Sequence, residues 1–373
     1  MYSPPENRVH GTEDTDEANH EAVTVNAPPP VIDGHNDTLL DVHLADRGGG
    51  RSFLEQSDSG HIDLPRARAA NYSGGFFAIF VPNDETQGIQ HTAAGYEIPL
   101  ADPVSHTHAR GFTYDVLEHL FRLHRAADGA FEVVRTVDRL RETVQGPTVA
   151  AIPHLEGAAA VAPDLSNLDF LYEAGVRSIG LTWSRPNEFG TGVPFAYPRS
   201  PDIGPGLTDS GLSLVDACND RGILIDLAHL NAQGFWDVAA RSDAPLVVSH
   251  TAVHNICQST RNLTDEQLDA IAATDGVVGI SLCVENLHPE GKQDVSLPVE
   301  TIVDHFEYVV DRIGVEHVAI GSDFDGATIP NAIGDVTGLV TLWKAFQERG
   351  FGNDELEMVT HKNWLRVLAE TWR

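Results

Sequence analysis

Six side chains able to ligate divalent cations or move protons stand at the ends of apolar runs: His35, Asp37, Glu156, His229, His250 and Asp323. In an extended chain residues i and i+2 face the same way, so His35 and Asp37 project together as a two-ligand half-site. Taken alone, Asp33-Gly34-His35-Asn36-Asp37 reads equally well as turn chemistry. The same kind of ending recurs downstream in Glu156, in Asp-Leu-Ala-His229, in Val-Val-Ser-His250 and in Gly-Ser-Asp323. Six ligands exceed what one tetrahedral zinc takes and suit two divalent ions sharing a carboxylate. Three carboxylates brought together would repel one another without cations, which argues the same way.

Bringing them together falls to the elements that end in them. Apolar stretches of strand length lie at 31–37, 74–81, 148–156, 176–183, 222–229, 246–250, 276–283 and 317–323. Helical segments are expected between them at 66–71, 115–144, 168–174, 213–221, 232–241, 264–274 and 298–313, with two more, 336–349 and 353–372, closing the chain. Thr264 and Gln267 form a capping-box pattern, and Pro298 marks another helix start. Strands this continuously apolar belong in a parallel sheet covered on its outer face, so the fold expected is α/β, a (β/α)8 TIM-type barrel with its site at the carboxyl ends of the strands. An open doubly wound sheet is the runner-up, disfavoured because no Gly-x-Gly-x-x-Gly follows the first strand. Pro153 inside the third strand predicts a bulge or bend. Residues 38–60 read as a long loop and 82–114 as an irregular segment able to cover a site.

Acidic residues number 55 against 24 basic ones in 373, a net charge of −31. Such a surface repels nucleic acid and anionic membranes, so neither is expected as a partner. It fits a halophilic protein in concentrated salt, where the screening length falls to about 3 Å at 1 M. Residues 1–30 are read as a disordered acidic extension and 31–373 as one barrel domain; the start of the chain lacks the pattern of a secretory signal and the reading is cytoplasmic. Cys218, Cys257 and Cys283 are widely spaced, which indicates buried apolar packing rather than a disulfide framework or a thiolate metal site.

The ordered set Asp33-Gly34-His35-Asn36-Asp37, Glu156-Gly157, Asp226-Leu227-Ala228-His229, Ser249-His250-Thr251, Arg261-Asn262 and Gly321-Ser322-Asp323-Phe324-Asp325-Gly326 resembles the renal (membrane) dipeptidase family, a dizinc branch of the amidohydrolase barrels. The closing Asn363-Trp364-Leu365-Arg366-Val367 is similar too. The resemblance implies two divalent metal ions, Zn2+, with His35 and Asp37 on one, His229 and His250 on the other and Glu156 bridging. It implies a metal-bridging hydroxide that attacks a dipeptide, Asp323 shuttling the proton and also touching the first metal, Arg261 binding the terminal carboxylate, and a homodimer. Related barrels bridge their metals with a carbamylated lysine, but none of the three lysines here ends a strand. Trp183 stands where the family carries a substrate-binding histidine, and indole donates one hydrogen bond without titrating. His154 faces the same way as Glu156 and is read as a packed histidine. N-acyl amino acid deacylation, lactone hydrolysis or a non-catalytic metal-binding barrel remain as alternatives.

Overall fold

The computed structural model describes residues 28–83, 88–92 and 94–373. Eight parallel strands pair in sequence order: β1 (Val31–Asn36), β2 (Tyr72–Phe80), β3 (Val149–Glu156), β4 (Ser178–Gly180), β5 (Leu224–Asp226), β6 (Val247–Thr251), β7 (Val277–Ile280) and β8 (Val318–Ile320). The ring closes just past the strands, where Asn36 bridges Phe324, the Asp37 N–H donates to Phe324 (2.8 Å) and the Asp323 N–H to His35 (3.0 Å). Nearly every strand residue is buried, as both faces of a helix-wrapped parallel sheet require. The opposite end is plugged by the closing helix, Asn363–Thr371, whose Trp364 enters the barrel and donates from Nε1 to the Ile320 carbonyl at 2.9 Å. Gly34 admits it, since a Cβ there would lie 2.4 Å from the indole.

Residues 1–27 lie outside the described residues, so the expected acidic extension does so for nearly all its length. Four local expectations are corrected. The segment expected as a loop, 38–60, carries two short helices, Thr38–His43 and Ala45–Gly48. The helical period over 115–144 covers two helices, His106–Ala126 and Val137–Val144, with a strand, Phe131–Val133, between them. The 82–114 segment holds strands Gln90–His91 and Tyr96–Ile98, which form an antiparallel sheet with Phe195–Tyr197 over the barrel mouth. Pro153 makes no bulge against β2, because the pairing runs unbroken from Gly74↔Ala150 to Phe80↔Glu156. On its other side β3 changes partner there, from Phe131–Val133 to β4, so the missing N–H faces a gap in the ladder. The helix starts hold: Thr264 and Gln267 make the capping box, and Pro298 precedes Val299–Ile313.

Candidate metal centre

The carboxyl ends of β1, β3, β5, β6 and β8 bring all six ligand-type side chains to one rim. Glu156 ends β3, and its Oε1 lies 3.1 Å from His229 Nε2 and 3.8 Å from both His35 Nε2 and His250 Nε2. His35 Nε2 is 3.6 Å from Asp37 Oδ2, and the two Nε2 atoms of His229 and His250 are 3.1 Å apart. Three overlapping trios present ligand atoms within 4.8 Å of one another: His35, Asp37, Glu156; Glu156, His229, His250; and His35, His250, Asp323. All six residues are buried or nearly so.

Backbone strain aims two of them. His229 (φ 64°) and Asp323 (φ 62°) occupy the left-handed region, as does Asp325 (φ 64°). Asp325 anchors its turn: its carboxylate accepts from Thr38 Oγ1 (2.7 Å), Arg51 (2.8 Å) and the His61 N–H (2.5 Å). Gly326 must be glycine, since a Cβ would sit 2.2 Å from Asp37 Oδ2 and 2.5 Å from Asp323 Oδ1.

The donor set fits divalent metal. Among the described residues His35 Nδ1 and Nε2 and Asp37 Oδ1 are buried without a hydrogen-bond partner, a costly arrangement that a cation would relieve. Burial opposes a charged His35, yet the carboxylates of Glu156, Asp37 and Asp323 outweigh it and raise the pKa above the ordinary imidazole range: the cage attracts a positive charge. Burial, then the Arg261 charge, depresses His229; burial, then His35 and Arg261, depresses His250, so both rings remain neutral ligands. Burial first, and Asp37 next among the raising influences, pushes Glu156 up. Asp323 rises to about 6 through burial, with His35 and Arg261 pulling down and Asp37 up.

Residues to which the sequence reading gave no role of their own hold the ligands. The Ser249 hydroxyl donates to Asp226 Oδ2 (2.6 Å), so its oxygen accepts from His250 Nδ1 (2.9 Å) and Nε2 is left facing the site. Ser184 Oγ sits 2.9 Å from His229 Nδ1. His154 packs below, its Nδ1 2.9 Å from Ser178 Oγ and its ring nearly perpendicular to that of His35 at 5.5 Å between centroids.

Above the rim opens a cavity of about 300 Å³, lined on one side by Phe80, Trp183 and Phe195. Trp183 lies 5.8 Å from the His229 ring and 4.8 Å from Phe80, centroid to centroid. Arg261 is buried at the cavity, its only side-chain hydrogen bond among the described residues running to the His250 carbonyl (3.2 Å). Cys218 and Cys257 are buried, whereas Cys283 lines the cavity, contrary to its expected place in the core. Sequence reasoning placed Trp183 at the site but missed Ser184, Phe80, Phe195 and Glu285. Only Ser249 left a signal, as the residue just before a ligand histidine.

Comparison with known proteins places this chain in a family. Residues 19–372 match the family described as membrane dipeptidase, peptidase family M19. A metallo peptidase from Rhodobacter sphaeroides, liganded with a phosphinate mimic of the dipeptide L-Ala-D-Ala, superposes with a TM-score of 0.89 at 40% identity, covering 92% of this chain and 100% of that one. A second solved structure, a dipeptidase described as an M19 metallo peptidase, gives 0.87 at 41% identity, covering 92% and 99%. A dipeptidase of Clonostachys rogersoniana is 28% identical over 358 residues, 93% of this chain and 85% of its own length.

Proposed function

The chain belongs to the membrane dipeptidase family and is a metallo-dipeptidase; from this premise we propose that it hydrolyses dipeptides at a pair of divalent ions, zinc by preference. His35 and Asp37 would hold one ion, His229 and His250 the other, and Glu156 both. The observation that carries this is the position of Glu156 Oε1, within 3.1 to 3.8 Å of ring nitrogens from β1, the turn after β5, and β6. When bound, such a pair supplies Lewis acidity toward the scissile carbonyl and lowers the pKa of water from 15.7 to about 7.

The chain's own groups do the rest. The buried Arg261 guanidinium has no acidic partner within ion-pair distance among the described residues, and its planar fork suits a substrate's terminal carboxylate. Asp323, raised to about 6, takes the proton of the attacking water and returns it to the leaving amine. Phe80, Trp183 and Phe195 exclude water from that side, and Trp183 packs against the substrate where a histidine would titrate.

Finer readings complete the proposal. The barrel forms one domain over 31–373 after an acidic extension, two chains form a homodimer, and the protein works in a cytoplasm of high salt. Supporting the high-salt reading is the charge of −31. Melting the protein across KCl concentrations tests the salt reading; equal stability near zero salt removes it. Metal analysis should return two equivalents per chain, and the loaded protein should cleave dipeptides in preference to N-acyl amino acids and lactones. Fewer than two equivalents, or the reverse preference, defeats the proposal.

A further inference from the structure

Glu285 stands apart from the other carboxylates of the cavity. Asp37, Glu156 and Asp323 converge on the metal centre, whereas Glu285 lies in the short helix Val284–Leu287 that follows β7. It makes no ion pair among the described residues. Its Oε1 accepts from Gln293 Nε2 at 2.6 Å and its Oε2 from Cys283 Sγ at 3.3 Å. Both donors are neutral, so they fix the carboxylate without cancelling its charge. Tyr96, from the sheet over the mouth, lines the same cavity, and burial followed by the nearby Cys283 and Glu285 keeps its phenol protonated.

The cavity is lined by two arginines without an ion pair among the described residues, the buried Arg261 and Arg47, which donates to the Asp325 carbonyl at 2.7 Å, and by one carboxylate outside the metal cage, Glu285, within about 300 Å³. A dipeptide has the complementary pattern of one carboxylate and one ammonium. We infer that Glu285 binds an ammonium group of the substrate, so that the enzyme reads a cationic group as well as the terminal carboxylate. This rests on the dipeptide reading above. The ammonium is either the α-amine or a basic side chain, and a tyrosine face beside a carboxylate suits both.

Calorimetric binding to the metal-loaded protein tests this without requiring turnover. Three non-hydrolysable phosphinate dipeptides serve as probes: an alanyl-alanine mimic, its N-acetyl derivative and a mimic with lysine at the carboxyl-side position. Loss of one charge-assisted bond in Glu285→Gln should weaken the relevant probe roughly tenfold. If the α-amine is held, the alanyl mimic weakens and the acetylated one binds wild type and variant alike. If a side chain is held, only the lysine mimic weakens. Glu285→Asp, which keeps the charge, should recover part of the loss, and an unchanged melting temperature and metal content locate the effect in the cavity. Equal affinities of all three probes for wild type and Glu285→Gln overturn the inference, while a wild type that binds none overturns the dipeptide reading with it.

Discussion

At the end of β5, Asp226 accepts the Ser249 N–H at 2.7 Å and its hydroxyl at 2.6 Å; on β1, Asp33 accepts the Ser322 N–H and hydroxyl at the same two distances. Each pair pins a buried carboxylate between neighbouring parts of the barrel, just below the ligand side chains. Beyond this shared layer the flanks diverge. Ser249 continues to the His250 ring and Ser184 holds the His229 ring, whereas the Ser322 hydroxyl, which donates to Asp33 and accepts the Phe324 N–H, lies beside the His35 carbonyl (3.1 Å) and not its ring, and neither ring nitrogen of His35 is hydrogen-bonded among the described residues. The β5–β6 flank thus orients its imidazoles by hydrogen bonds the chain makes itself. The β8–β1 flank supplies charge instead: Asp37 and Asp323, with His35 set by its 3.8 Å ring contact with His250. One flank is preorganised for ligation and the other concentrates the negative charge and the proton chemistry.

The sharpest break between them is Asp323→Asn. The amide keeps the shape and the left-handed turn but cannot carry a proton between water and amine, so kcat should fall on the order of 10²- to 10⁴-fold. His250→Asn on the other flank should instead empty a metal position. Turnover and metal content measured on both variants decide it: should Asp323→Asn lose an equivalent of metal, Asp323 acts chiefly as a ligand and the division of labour fails.

Next in size are the serines. Ser249→Ala and Ser184→Ala each release a ligand ring and should weaken metal binding about 10- to 100-fold, the usual cost of losing such a support. Ser322→Ala leaves a buried carboxylate short of one hydrogen bond, about 1–3 kcal/mol of stability, with metal affinity almost unchanged. Competition against a chelator and urea melts measure the two quantities. Equal loss of metal affinity in Ser322→Ala and Ser249→Ala would show that the flanks are supported alike.

Much of this was legible in the sequence, for a physical reason. A parallel barrel strand is buried on both faces, so it reads as an apolar run, and the architecture puts its last residue at the site; His35, Glu156, His250 and their fellows therefore announce themselves. What stayed hidden depends on contacts between distant segments. Ser184 is one hydroxyl after a strand until the turn after β5 brings His229 to it, and Glu285 is one acid among 55 acidic residues until Arg261 and Tyr96 share its cavity. The strand Phe131–Val133 was masked because three residues between two helices do not interrupt a helical period enough to be seen.

The smallest effect concerns the outer support of the preorganised flank. His305, fully buried on the helix Val299–Ile313, accepts the Val253 N–H at Nδ1 (3.1 Å) and faces the Leu287 carbonyl with Nε2 (2.9 Å), tying the segments after β6 and β7 together. Accepting at one nitrogen and donating at the other requires the neutral ring, and burial lowers its pKa from the ordinary 6.5 to about 4. The unfolded chain therefore binds this proton more readily between those values. The stability contributed is complete above 6.5 and is lost as the pH falls toward 4. From pH 7 to 5.5 the loss is about 1 kcal/mol, taking 1.36 kcal/mol per pKa unit. Urea midpoints of metal-stripped protein should show it, and His305→Gln, less stable at pH 7, should have a slope shallower by that amount. Parallel slopes for the two proteins would mean that the folded ring takes up its proton as readily as the unfolded chain does, and the tie between the segments after β6 and β7 would need another explanation.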